Sequence, residues 1–290
     1  MTHGVLAHTA AADPVESFWD AAYGATVISR AAAEPGAFID TYLDAVGTVA
    51  GLRVLECGQG TGEITVGLAR RGAHVTCFDV SAVACEQTRA RAAILGLGER
   101  VTVLCTSHLQ VAREIDAMRF DVVCGRFFLH HIPAVEFVNL ARHVLSPVGR
   151  CIFWENSARN PLLMFARNYI VGRFGIERHS DAREYPLTDS YLEELRCYFR
   201  DVRASVPRDY FLFAGELQPL LMQLDRKAKN AAAKRAIGLV WEATGRVDHR
   251  LGRVLPSRLR RYGWWQLVEC KALDVEGVSV STGGMPGWGG

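Results

Sequence analysis

The 290-residue chain predicts an α/β fold: a parallel sheet covered by helices on both faces. Three observations carry this expectation. The stretch from Arg53 to Ser81, RVLECGQGTGEITVGLARRGAHVTCFDVS, reads strand, glycine turn, helix, strand. Further short apolar runs at Val101–Cys105, Phe120–Gly125 and Arg150–Glu155 alternate with helical patterns, as βα units do. Finally, Cys57, Cys77, Cys105, Cys124 and Cys151 each fall in or at the end of one of these runs, and small, readily buried cysteines suit strands shielded on both sides.

The elements follow in order. Val15–Arg30 carries Phe18, Trp19, Tyr23 and Val27 at roughly helical spacing, and Phe38–Val49 reads as a second helix ending near Gly51. Arg53–Cys57 is an apolar strand. Gly58, Gly60 and Gly62 make a tight turn, Glu63–Arg71 has Ile64, Val66, Leu68 and Ala69 at helical spacing, and His74–Phe78 is a strand ending at Asp79. Glycines tolerate positive φ and put no side chain between backbone and ligand, so a ligand can lie over this turn at the positive end of the next helix. Asp79 stands about twenty residues beyond the turn, where a carboxylate in such a unit accepts hydrogen bonds from ribose hydroxyls. The spacing is not the dinucleotide pattern GxGxxG, because Glu63 occupies the last glycine position and a carboxylate there would face phosphates. An NAD-dependent oxidoreductase is disfavoured on that ground.

This run resembles motif I and the following acidic strand end of class I S-adenosylmethionine-dependent methyltransferases, in their small-molecule branch. The resemblance implies a Rossmann-like, doubly wound seven-stranded sheet of order 3-2-1-4-5-7-6 with an antiparallel last strand, N-terminal helices and a helical cap insertion. It implies that Glu56, Gly58, Gly60 and Gly62 line the methionine half of the cofactor and that Asp79 binds its ribose, with Gln59, Thr61 and Val80 as further cofactor contacts. S-adenosylhomocysteine would be the product. In such enzymes N-terminal helices often cover the cofactor, so Trp19 and Tyr23 are either lid aromatics in contact with substrate or simply packing residues.

Ala82–Leu95 is a helix rich in Ala and Arg that ends at Gly96, and Val101–Cys105 is the third strand. Relatives often place an acid just after it to hold the adenine amino group. This chain has Thr106-Ser107-His108, leaving Ser107 or the backbone for that contact. Phe120–Gly125 is the fourth strand and runs into Arg126-Phe127-Phe128-Leu129-His130-His131-Ile132. Ligands in open parallel sheets bind beyond the carboxyl ends of strands, so this segment should border the chemistry. It resembles the LHHI segment of small-molecule methyltransferases and not the NPPY type that acts on nucleic acid bases. His130 or His131 is the candidate base, since imidazole takes up a proton near neutral pH and adjacent histidines cannot both enter one site. Arg126 is a candidate for either cofactor or substrate-carboxylate contact, or for packing.

Pro133–Leu145 is a helix and Ser146-Pro147-Val148-Gly149 the turn into Arg150–Glu155, a turn common in the family. Glu155 and Asn156, at the end of that strand, are candidate substrate contacts or caps of the helix beginning near Pro161. Leu162–Phe174 and Thr188–Phe199 are helical, Asp201–Phe213 is a strand broken at Pro207, and residues 215–255 are mostly helical. Tyr262–Leu273 is the last strand. The organisation expected is an N-terminal helical cap over 1–50, a cofactor-binding core over 51–157, a cap helix and remaining core elements over 158–213, a helical insertion over 214–258, the last core strand within 259–280 and a glycine-rich disordered tail over 281–290.

The totals bound the function. Net charge is +2, no apolar run reaches the length of a membrane span, and the first residues lack a secretory pattern, so a cytoplasmic enzyme is the default. The eight cysteines form no CxxC pair or zinc-ligand cluster, and they read as reduced core residues without a metal. From Arg226 to Arg261 there are eleven Lys/Arg against Glu242 and Asp248, which reads as a solvated face, a homodimer contact or an anion dock. Few aromatics are interleaved there, which disfavours nucleic acid. The leading expectation is methyl transfer to an oxygen, nitrogen or carbon of a small hydrophobic acceptor, as in secondary metabolism. The alternatives are a peptide or RNA methyltransferase docking on the basic insertion, and a non-catalytic cofactor-binding module.

Overall fold

The computed structural model describes residues 14–24, 37–115, 118–173, 185–206, 221, 224–225, 228 and 230–273. In chain order the elements are α1 (Pro14–Tyr23), α2 (Ala37–Val46), β1 (Arg53–Cys57), α3 (Glu63–Arg70), β2 (His74–Asp79), α4 (Ala82–Ile94), β3 (Val101–Cys105), α5 (Val111–Glu114), β4 (Phe120–Arg126), α6 (Ala134–Val144), β5 (Leu145–Asn156), α7 (Pro161–Tyr169), α8 (Asp189–Arg196), β6 (Phe199–Ser205), α9 (Ala231–Val254), α10 (Ser257–Arg260) and β7 (Trp265–Leu273). The seven strands order as β3-β2-β1-β4-β5-β7-β6. Strands β1 to β5 pair in parallel, and β7 pairs antiparallel with both β5 and β6. This is the topology expected from the sequence.

Period-two alternation sends successive strand residues to opposite faces. Leu55, Cys57, Val123, Cys151 and Phe153 point into one cluster, beneath α6 and α8 through Phe137, Leu192 and Leu195. Val54, Val75, Cys77, Val122, Cys124, Ile152 and Trp154 point into the other, beneath α2 and α3 through Ile39, Leu43 and Leu68. Tyr42 fastens α2 to the sheet: its hydroxyl donates to the Ile152 carbonyl at 2.8 Å and accepts from the Gly125 N–H at 3.0 Å. The strand order reverses between β1 and β4, so the carboxyl ends of β1, β2, β4 and β5 surround the crevice at that switch point.

Several boundaries differ from the sequence reading. Helix α1 stops at Tyr23, because Gly24 adopts φ +61 and returns its N–H to the Asp20 carbonyl; Val27 and Arg30 lie outside the described residues. Strand β5 begins at Leu145 rather than Arg150. Leu145 pairs with Phe120 and Arg150 with Val122, so residues 146–149 bulge from the strand edge opposite Asp121 alone. A Cβ on Gly149 would lie 2.9 Å from the Phe120 carbonyl, which is why a glycine closes that bulge. Helix α8 ends at Arg196 and Phe199 already belongs to β6, whose predicted continuation past 206 is outside the described residues. Tyr262 and Gly263 close the turn after α10 instead of starting β7. The tail over 281–290 is likewise outside the described residues. Cys105 and Cys197 are exposed, so the expectation of wholly buried cysteines fails at these two.

Among the described residues no helix is long and apolar enough to cross a membrane. Helix α9 is a long, largely exposed rod that buries only Asp248 and Gly252.

Candidate functional site

The glycine turn is held by backbone bonds that a side chain would obstruct. Gly58, Gly60 and Gly62 have φ of +65, +52 and +79. The Gly58 N–H donates to the Phe78 carbonyl and the Gly62 N–H to the Gln59 carbonyl, at 2.9 and 3.0 Å. Helix α4 grips the turn from below: Thr88 Oγ1 donates to the Gly60 carbonyl at 3.0 Å and Arg91 Nε to the Thr61 carbonyl at 2.8 Å. A Cβ on Gly62 would lie 2.7 Å from the Thr88 side chain. Gly62→Ala therefore combines left-handed strain with overlap, and we expect it to cost about 2–4 kcal/mol. Gly96 has φ +70 but open space around it, so Gly96→Ala carries the strain alone. Thermal melts of the two variants separate the contributions, with the larger loss at Gly62.

Two carboxylates flank the turn. Asp79, buried at the end of β2, accepts from the Gly60 N–H through Oδ2 and from the Ser81 N–H through Oδ1, both at 3.0 Å. Burial pushes its carboxyl upward in pKa while the N–H donors of Ser81, Gly60 and Val80 pull it back. Glu56, at 1 % exposure, accepts from Thr65 Oγ1 at 2.5 Å. Burial raises its carboxyl from 4.5 to about 8, against the Thr65 hydrogen bond and the Arg126 charge. The folded chain thus holds a proton that the unfolded chain sheds between pH 4.5 and about 8. This group's contribution to stability is complete below the lower value and is lost as pH rises through the upper one. Glu56→Gln cannot ionise and should flatten that decline, so its melting temperature overtakes that of the parent chain on the alkaline side.

The cover over the turn comes from α1. Spacing of i and i+4 puts Trp19 and Tyr23 on one helix face, where their rings stack at 5.7 Å. The Tyr23 hydroxyl lies 3.1 Å from where a Cβ on Gly60 would be, and the Trp19 ring meets His131 edge-on at 5.6 Å. Asp20 pins the helix: its Oδ1 accepts from Ser81 Oγ at 2.5 Å and from the Val83 N–H at 3.2 Å. Gln87 Nε2 adds a bond of 2.6 Å to the Gly24 carbonyl.

The β4 exit is organised by Glu155. This side chain is fully buried, and its Oε1 accepts from the Phe128 and Leu129 N–H groups at 2.8 and 2.7 Å. Its Oε2 lies 2.6 Å from His130 Nδ1. A carboxylate only accepts, so Nδ1 carries the proton and Nε2 is the ring nitrogen available as a base. The segment turns sharply at Phe127, which has φ +57 although it is not glycine. His131 is exposed and lies between Trp19 and His130, its ring 4.1 Å from the latter. Arg126 lies over the Phe127 ring at 5.4 Å with its charge toward Glu56.

The structure thus gathers Glu56, Gly58, Gln59, Gly60, Thr61, Gly62, Asp79, Trp19, Tyr23, Arg126, His130, His131 and Glu155 around one crevice. Glu155, read from sequence as a substrate contact or a helix cap, is instead sealed beneath the site. The α7 cap is Asn160, whose Oδ1 accepts from the Leu163 N–H at 2.9 Å, so Asn156 does not serve there. Asn156 pairs with Trp265 across β5 and β7, and its Oδ1 is buried without a hydrogen-bond partner among the described residues. After β3 the Ser107 carbonyl starts α5 by accepting from the Gln110 and Val111 N–H groups. The neighbouring Thr106 has a buried Oγ1 without a partner among the described residues, as does Gln59 with its Oε1 in the turn. Sequence reasoning missed Thr106, the Asp20 pin and the grip of Thr88 and Arg91. Only the last left a signal, in polar residues spaced i and i+3 on the inner face of α4.

Comparison with known proteins agrees with this geometry. Residues 54–149 match the family model described as a methyltransferase domain. The chain is 29% identical over 140 residues to the ubiquinone biosynthesis O-methyltransferase of Alkalilimnicola ehrlichii, covering 48% of this chain and 53% of the relative. It is 33% identical over 124 residues to the enzyme of the same name from Marinobacter nauticus, covering 41% and 50%. The chain spans about half the length of these curated relatives. Among solved structures, a putative sarcosine dimethylglycine methyltransferase from Galdieria sulphuraria superposes with a TM-score of 0.52 at 15% identity, covering 90% of this chain and 99% of the other. The SpnF cyclase does so with 0.50 at 17%, covering 81% of each. The matched segment is thus a methyltransferase domain, and the sheet around it has the strand order of the class I methyltransferase fold. That the same fold carries a cyclase leaves the reaction of the whole chain to be argued from its residues.

Proposed function

We propose that the chain is an S-adenosylmethionine-dependent methyltransferase that methylates a hydroxyl oxygen of a small hydrophobic metabolite, as in natural-product biosynthesis. The observation that carries the acceptor type is the Glu155–His130 pair, because a hydroxyl arrives protonated and needs a base whereas a carboxylate does not. The residues present fit the cofactor. A bare glycine turn, a buried Asp79 and the unpartnered Gln59 Oε1 and Thr106 Oγ1 offer what a nucleoside and an amino acid require. Glu56 and the 58–62 turn would hold the methionine end, Asp79 and Val80 the ribose, and Thr106 or Ser107 the adenine. When bound, S-adenosylmethionine supplies an electrophilic methyl group on its sulfonium.

The chain supplies alignment and proton handling. His130 Nε2 receives the acceptor's hydroxyl proton, and Glu155 stabilises the resulting imidazolium while fixing the ring. Trp19 and Tyr23 on the pinned helix α1 exclude water, and the aromatic surroundings of Trp19, Phe127 and Trp265 support a hydrophobic acceptor. The small-molecule names of the relatives support the same reading. Homodimerisation through α9, whose Leu239, Val240 and Val247 are exposed, belongs to the proposal and is checked by sedimentation.

The experiment is an acceptor screen. Phenols, catechols, carboxylic acids and amines are offered with the cofactor, and products are read by mass for one added methyl. We expect methylation of hydroxyl acceptors, abolished in His130→Ala. Turnover confined to carboxylic acids, or equal in the His130 variant, contradicts the assignment of the base.

A further inference from the structure

Cys85 lies in the first turns of α4 and Cys105 ends β3, and both thiols enter the gap between the carboxyl ends of β2 and β3. Cys85 Sγ donates toward the Leu104 carbonyl at 3.4 Å and the Asp79 carbonyl at 3.6 Å. Cys105 Sγ reaches the Val80 carbonyl at 3.9 Å, Asp79 and Cys105 are register partners across the two strands, and Cys105 lies near enough to Cys85 to help raise its thiol. Cys85 is fully buried and Cys105 is exposed. On its far side Cys85 Sγ accepts from Gln59 Nε2 at 3.4 Å, which ties the pair to the glycine turn.

The geometry points to a reversible Cys85–Cys105 disulfide, formed by hydroperoxide, that weakens cofactor binding. The exposed Cys105 thiol attacks the peroxide oxygen. The O–O bond breaks, Cys105 becomes a sulfenic acid, and one water leaves when the oxidant is hydrogen peroxide. Cys85 then attacks the sulfenic sulfur, and the hydroxyl departs with the Cys85 proton as a second water. Two thiols are oxidised and one peroxide is reduced, and a dithiol reverses the bond. Burial pushes the Cys85 thiol up to about 12, which keeps it protonated and directs the first oxidation to Cys105. Drawing the Cys85 sulfur toward Cys105 takes it from Gln59, whose Oε1 already has no partner among the described residues. The turn side chain then loses its anchor, and we expect cofactor affinity to fall about tenfold, the worth of a displaced hydrogen bond.

The disulfide stands apart from the functional reading, while its effect on affinity rests on that reading. The full chain is treated with hydrogen peroxide, remaining thiols are blocked with N-ethylmaleimide, and peptides are mapped by mass before and after dithiothreitol. The expected result is a linked peptide pair containing Cys85 and Cys105, absent in Cys105→Ser. In Cys85→Ser the oxidation should stop at a sulfenic or sulfinic Cys105. Recovery of Cys85 fully alkylated, with Cys105 overoxidised or joined to another cysteine, overturns the disulfide. A linked pair with unchanged S-adenosylmethionine affinity overturns the switch. Failure of even the reduced chain to bind that cofactor would count against the functional reading and leave the disulfide standing.

Discussion

Asp79→Ala is expected to raise the dissociation constant for S-adenosylmethionine by roughly a hundredfold or more. Asp79 combines two tasks that an alanine cannot perform. Its oxygens order the turn by accepting from the Gly60 and Ser81 N–H groups, and under the proposed function their remaining lone pairs accept from the ribose hydroxyls. Hydrogen bonds to a charged acceptor contribute about 1.5–3 kcal/mol each, so losing two to a ribose corresponds to at least that factor. Asp79→Asn separates the tasks. One amide oxygen can still accept from Gly60 or Ser81, but the NH₂ group meets the other N–H, so affinity falls nearly as far while the amide packs in the same volume. Calorimetric titration reads the binding. Circular dichroism shows whether the variant folds, and a folded variant with undiminished affinity would refute the ribose assignment.

Glu155→Gln is expected to lower kcat by about a hundredfold to ten-thousandfold with little change in cofactor affinity. The substitution preserves volume, and its amide oxygen can continue to accept from the Phe128 and Leu129 N–H groups. Its NH₂ then faces His130 Nδ1, which must become the acceptor, and the proton moves to Nε2. Loss of the correct tautomer in a comparable carboxylate–histidine pair carries a penalty near the upper end of that range. Glu155→Ala is a harsher change. It orphans two buried N–H groups and empties a fully buried position, for a stability loss of about 2–5 kcal/mol, and it belongs in a melting experiment. Steady-state kinetics on the glutamine variant distinguish a positioning role from a structural one, since a purely structural Glu155 would lower stability and leave kcat per folded molecule intact.

Much of this arrangement was legible in the sequence because the relevant interactions are local. A glycine turn needs its glycines adjacent, a strand exposes its period within five residues, and Asp79 follows the turn at a fixed distance along one βαβ unit. For the same reason the sheet order followed from the resemblance that those local motifs carry. What was not legible depends on contacts between distant positions. Asp20 meets Ser81 across 61 residues and Tyr42 meets Ile152 across 110, and neither residue type announces a partner. Glu155 looked like a substrate contact because strand ends face the crevice. Its burial follows from the left-handed turn at Phe127, which folds residues 128–130 back over the carboxylate. The β5 bulge was missed for a related reason, since Pro147 and Gly149 signal a turn whether or not the flanking backbone still pairs with a neighbour.

The most direct test of the account is calorimetric titration of the purified chain with S-adenosylmethionine, S-adenosylhomocysteine and NAD. The expected result is binding of the first two in the micromolar range, weakened in Asp79→Ala, and no binding of NAD, because Glu63 stands where a pyrophosphate would need a glycine. Binding of NAD alone would contradict it.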